Sequence, residues 1–115
     1  MSIVEAPVSD MLAMVKSREI QRGMSAEARR DRTATAKHFL AAAHMELVLA
    51  DDYAGAGQTE NAIRSRISAA SCFWRAGNSV AGRRMLGELA QEHPEAIARV
   101  QDVMDDLQRN TATGS

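Results

Sequence analysis

The side chains that could do chemistry are few, and their spacing decides what they can do. His38, His44 and Glu46 lie close together. A separation of six residues puts the two histidines on different faces of a helix, and His44-x-Glu46 diverges in the same way. No HExxH, ExxH or paired-cysteine spacing occurs, so neither a metal centre nor any other cofactor is expected. The single cysteine, Cys72, has no histidine within a helical turn and reads as an inert packing residue. Without a nucleophile–base pair the chain is not expected to be an enzyme.

The arginines are more informative. Arg64, Arg66, Arg75, Arg83 and Arg84 fall between Ala62 and Leu86 with no acid among them. From Glu88 to Asp106 come Glu88, Glu92, Glu95, Asp102, Asp105 and Asp106 against Arg99 alone. A basic segment beside an acidic one can drive head-to-tail association or neutralise itself within one fold. Arg66 falls on a helical wheel between Ala62, Ala70 and Phe73, inside an apolar stripe. A charge there needs a partner, and Glu46 and Glu88 on the flanking helices are the candidates for a structural ion pair. On that reading Arg66→Ala would strand a buried carboxylate and cost about 3 kcal/mol. The alternative is that the long stem carries the guanidinium out to water.

The elements that position these residues are all helical. Apolar residues at 36, 39, 40, 43, 47 and 50, widened by Met45, Val48 and Leu49, predict a helix over 35–53 that is covered on two sides. Gly55 and Gly57 break the chain. A second helix over 59–76, with Thr59 as N-cap, gathers Ala62, Ile63, Ala69, Ala70, Phe73 and Trp74 on one side. Asn61, Arg64, Ser68, Ser71 and Arg75 occupy the other. Ser79 is the expected cap of a third helix ending near Glu92, and Pro94 can open a fourth but not prolong the third. That fourth helix carries Ile97, Val100, Met104 and Leu107 at spacings of 3, 4 and 3.

Upstream, residues 1–8 look loose. A short helix with Ser9 as cap presents Met11, Leu12 and Val15 on one face and ends at Gly23. Residues 25–33 read as a polar linker or an exposed helical extension. The division is therefore an N-terminal segment 1–33, a helical-hairpin domain 34–109 and a disordered tail 110–115. Short loops force neighbouring helices antiparallel. The expected fold is all-α, an up-down array of four or five helices.

One spacing occurs twice. Leu49-Ala50, Tyr53, Gly57 and Ala62 form the first copy; Ala69-Ala70, Phe73, Gly77 and Gly82 form the second. Small residues let two helix backbones approach, an aromatic fills the gap beside the turn, and glycine takes the positive φ that ends a helix tightly. This pattern resembles the tetratricopeptide repeat, whose two helices meet at such a turn. In the second copy Leu86, Leu89 and Pro94 extend the match over about 63–96. The first copy departs at Arg66, and the copies are 20 residues apart where the family repeats every 34.

The resemblance implies a groove lined by the first helix of a unit. Here its positions hold Arg64, Ile67, Ser71, Trp74 and Arg75, a set suited to an acidic or carboxylate-bearing peptide. It implies an exposed Trp74; the competing reading makes Trp74 core and the arginines a solvated face. The expected function is a module that binds another protein or peptide. The runner-up is a self-assembling bundle, with a homodimer expected from the girdle of helix 35–53 and the stripe of the fourth helix. A nucleic-acid-binding helical protein is the weaker third. Net charge of −1 exerts no global pull toward nucleic acid or anionic lipid, and Phe73 and Tyr53 are too bulky for a helix-turn-helix. No membrane span or signal peptide is read, so a cytoplasmic location is expected.

Overall fold

The computed structural model describes residues 5–114, with side chains from 9 to 110. Five α-helices make up the described residues: α1 (Glu5–Ala28), α2 (Arg32–Gly55), α3 (Thr59–Arg75), α4 (Ser79–Glu92) and α5 (Ile97–Gly114), with one 3-10 turn at Pro94–Ala96 before α5. The fold is all-α. Of the segment expected to be loose, residues 1–4 lie outside the described residues. At the other end α5 carries helical backbone through Gly114.

The largest departure from expectation is α1. It is a single helix of 24 residues, not a short helix followed by a linker. Ser9 lies inside it and Gly23 does not end it. Gly23 is buried where α1 crosses α2, and a Cβ there would meet the Phe39 ring at 2.9 Å. The glycine serves close helix approach. Its packed side runs through Leu12, Lys16, Ile20, Gly23 and Ala26, leaving Met11, Met14 and Val15 exposed.

Three turns of one design join α1 to α4. At each, a left-handed residue follows the helix and the next residue caps the helix after it. Asn78 N–H donates to Phe73 O (2.9 Å) and Gly77 N–H to Trp74 O (3.0 Å). Gln58 N–H donates to Tyr53 O (2.8 Å) and Gly57 N–H to Ala54 O (3.1 Å). Asp31 N–H donates to Ala26 O and Arg30 N–H to Glu27 O, both at 3.0 Å. This crossed pair satisfies carbonyls that a helix end would otherwise orphan. Gly57 and Gly77 take positive φ as expected, at 75° and 104°; at the first turn Arg30 does so, at 60°. The caps are Asp31, whose Oδ1 accepts from Ala34 N–H, and Asn78, whose Oδ1 accepts from Ala81 N–H. They fall one residue or more before the expected starts at Thr35 and Ser79. Gln58, not Thr59, occupies the cap of α3 and makes no side-chain capping bond.

Contacts between helices fix their directions. Lys16 meets Glu46 while Gly23 meets Phe39, so α1 and α2 are antiparallel. Gly82 meets Ala70 while Arg66 meets Glu92, so α3 and α4 are too. Each helix packs on the next, and α5 closes onto α3 and α4. The result is an elongated slab, 51 × 32 × 16 Å, with a radius of gyration of 14.6 Å. A compact chain of this length would have a radius near ~13 Å.

Two clusters hold the slab together, and α3 borders both. Ile63, Ala70 and Trp74 join Leu86, Leu89, Ala96, Val100 and Leu107 toward α4 and α5. On its other side Cys72 joins Phe39, Ala42 and Ala43 of α2, with Ile20 of α1 against them. Burying each large apolar side chain fully contributes roughly 1.5–3 kcal/mol. The expectation that α2 is covered on two sides holds, with α1 on one side and α3 on the other.

Candidate interaction surface

The positions that the resemblance assigns to a groove do not form one exposed surface. Trp74 is 5 % exposed and sits in the cluster with Ile63, Leu86 and Leu89. The expectation that it faces a ligand is therefore corrected. Gly82 lets α4 lie so close to α3 that the indole is covered, and the Arg83 guanidinium stacks 4.8 Å over its ring. Ile67 packs against the same cluster. Ser71 donates its hydroxyl to Ile67 O at 3.0 Å, a local bond within α3. Arg75 is engaged within the fold. It donates to Glu27 of α1 at 2.6 Å and lies 4.4 Å over the Phe39 ring. Arg64 is the exposed member of the set, 3.6 Å from Glu60 one turn earlier.

Arg66 is paired, but with neither expected carboxylate. Its Nη1 donates to Glu92 Oε2 at 2.8 Å, tying α3 to the end of α4. That bond holds the Glu92 carboxyl below its ordinary range. Glu92 is open to water, so removing Arg66 strands no buried charge, and the large cost expected of Arg66→Ala does not follow. Both earlier candidates lie elsewhere. Glu88 is exposed on α4. Glu46 is buried between α1 and α2 and takes Lys16 Nζ at 3.6 Å. The wheel that singled out Arg66 used helix α3 alone. It could not show that α4 ends just beyond that position and lets the pair reach solvent.

His38 and His44 part as expected of their spacing. His38 Nδ1 donates to Glu19 Oε2 at 2.6 Å, and this bond is the main reason the Glu19 carboxyl lies below its ordinary value. His44 is exposed on α2 and meets the Phe73 ring edge-on, centroids 5.3 Å apart. Burial pushes the Cys72 thiol up to about 11, which leaves it protonated and unreactive at neutral pH. Among the described residues no group of three or more His, Cys, Asp or Glu gathers in a way that could hold a metal.

The two end helices carry what the sequence reading missed. On α1, Met11 (62 % exposed) and Met14 (55 %) continue along the outward side into Arg18 and Arg22. These spacings of three and four residues keep them on one face. Beyond them Arg18, Gln21, Arg22, Ser25 and Arg29, with His38 of α2, line a shallow cleft of about 510 Å³. Arg22 reaches Glu19 at 3.2 Å, whereas Arg18, Arg29, Arg30, Arg32 and Lys37 meet no carboxylate among the described residues. At the far end α5 exposes Ile97, then Asp102, Asp105 and Asp106, which line a second cleft of about 320 Å³ together with Val103 and Arg109. The signal was present at 12, 16, 20, 23 and 26 in α1. It was hidden because the stripe holds a lysine, a glycine and an alanine among its packing residues.

Among the described residues no helix is long and apolar enough to cross a membrane. Comparison with known proteins finds no matching family, no matching curated protein and no matching solved structure.

Proposed function

We propose that this chain is a non-catalytic interaction module built from tetratricopeptide-like helical hairpins, and that it binds a protein or peptide through the outward face of α1. The observation that carries this reading is the junction of exposed Met11 and Met14 with the basic cleft of Arg18, Arg22 and Arg29 on one helix. Apolar surface supplies binding energy, and Arg18 and Arg29, which meet no carboxylate within the fold, supply charge-assisted bonds to an acidic partner, with Arg22 beside them held to Glu19. The hairpin character is supported by the two glycine turns, each carrying an aromatic at the same place, and by the contact of Gly82 on Ala70. This reading places the protein in the cytoplasm, where a lone buried Cys72 stays reduced.

The test is capture from the native host with three baits read by mass spectrometry. The wild type and an Arg64→Glu/Arg84→Glu control, altered on α3 and α4, should retain the same partner. Arg18→Glu/Arg22→Glu should lose it, since desolvated arginine contacts are frequent interface hot spots. Equal capture by all three baits removes the α1 face from consideration. Capture lost only with the control would return the interface to α3.

A further inference from the structure

The two ends of the slab are complementary in charge. On α1 the outward face reads, from the N-terminal side, Met11, Met14, Arg18, Arg22. On α5 the exposed acids Asp102, Asp105 and Asp106 gather around one cleft, with Arg109 donating to Asp106 at 2.6 Å. One end of the slab thus presents a basic cleft and the other an acidic one.

Helix direction is compatible with a contact between the two ends. With five helices in an up-down order, α1 and α5 point the same way. Sliding a copy along the array without turning it over would lay α5 of one chain beside α1 of the next, in parallel. Asp102, Asp105 and Asp106 then face Arg18 and Arg22. An isologous α1–α1 contact would instead bring two basic clefts toward each other.

We infer that the occupant of the α1 face is the α5 face of a second copy, so that the chain assembles head to tail. This rests on the reading of α1 as the docking face and names its partner. The contact is heterologous, because the two surfaces differ. It continues from copy to copy unless a rotation closes it into a ring. Much of its attraction is between exposed charges, so salt weakens it.

Sedimentation velocity over a concentration series tests this at about 0.1 M and about 1 M salt, where the Debye length falls from about 10 Å to about 3 Å. The wild type should exceed twice its monomer mass of 12.5 kDa as concentration rises, and fall back toward it at high salt. Arg18→Glu/Arg22→Glu should be monomeric, and so should Asp102→Arg/Asp105→Arg, with circular dichroism showing both folded. Their equimolar mixture should associate again, because each reversed face now meets its opposite. A wild type that stays monomeric at the highest concentration overturns the inference. So does association that survives in both variants, or a mixture that fails to recover. Host capture that still depends on Arg18 and Arg22 while the chain is monomeric would sink self-assembly and leave the α1 face standing.

Discussion

Gly82 of α4 lies against the backbone of Ala70 in α3, so close that a Cβ on Gly82 would stand 2.9 Å from the Ala70 carbonyl oxygen and 3.2 Å from Trp74 Cβ. Neither neighbour is the free end of a flexible chain, so the helices themselves must part. Gly82→Ala should lower stability by about 1–3 kcal/mol, the cost of overpacking, although alanine favours the helix by ~1 kcal/mol. Gly87 on the same helix is exposed and a Cβ there meets nothing within 4 Å. Gly87→Ala should therefore raise stability by ~0.5–1 kcal/mol. Urea melts of both variants check the pair. Equal gains from both would show that the two helices do not approach at Gly82.

That contact is also where the sequence spoke most clearly. Small residues at Ala70 and Gly82, the aromatic Phe73 and glycine Gly77 each encode a local event within two helices joined by one turn. Such events are set by neighbours in sequence and can be read without the fold. Trp74 was ambiguous because its burial depends on how closely α4 approaches. Arg66 was misassigned because its partner is a surface carboxylate at the end of another helix. Helix α1 was the least legible. Its packed side uses Lys16, Gly23 and Ala26, and Lys16 is acceptable there only because Glu46 waits on α2. A stripe of apolar residues cannot register an ion pair or a missing side chain. Met11 and Val15, read as its apolar face, point outward, so the pattern indicated the wrong face.

The first interhelix turn uses Arg30 at φ 60° where the other two use glycine. An L side chain in that region costs about 1–2 kcal/mol, and glycine gives back part of the gain through the freedom of its unfolded chain. Arg30→Gly should raise stability by about 0.5–1 kcal/mol and leave helix content unchanged. Thermal melting followed at 222 nm reads this directly. A lower Tm would mean that the Arg30 side chain contributes something that its backbone geometry does not reveal.

Lys16 and Glu46 face each other at 3.6 Å between α1 and α2, with Glu46 almost wholly enclosed. Removing the cation leaves the carboxylate buried and unpaired, so Lys16→Ala should cost about 3 kcal/mol. Lys16→Met/Glu46→Leu removes both charges and fills their space, and it should recover most of that loss. Chemical denaturation of the single and double variants makes a cycle. If their effects simply add, the two groups do not depend on one another.

Glu19 and His38 join the same two helices, and here pH is the lever. The His38 hydrogen bond draws the Glu19 carboxyl below its ordinary value, against a smaller opposing effect of burial, and the charges of His38 and Arg22 act in the same direction. A carboxyl that ionises more readily in the folded chain stabilises the fold wherever it is ionised in both states. Its contribution is therefore complete above the unfolded carboxylate range and disappears as the pH falls through the lower folded value. Glu19→Gln lacks this contribution at every pH. Its Tm should lie a few degrees below the wild type near neutrality, and the two curves should converge in acid. His38→Ala should behave like Glu19→Gln near neutrality, because it too removes the hydrogen bond that holds the Glu19 carboxyl low. Melting curves collected across the acid range decide the matter. A gap between wild type and Glu19→Gln that stays constant into strong acid would mean that Glu19 acts by packing rather than by charge. A gap that widened would reverse the sign of the linkage and exclude the ion pair as its source.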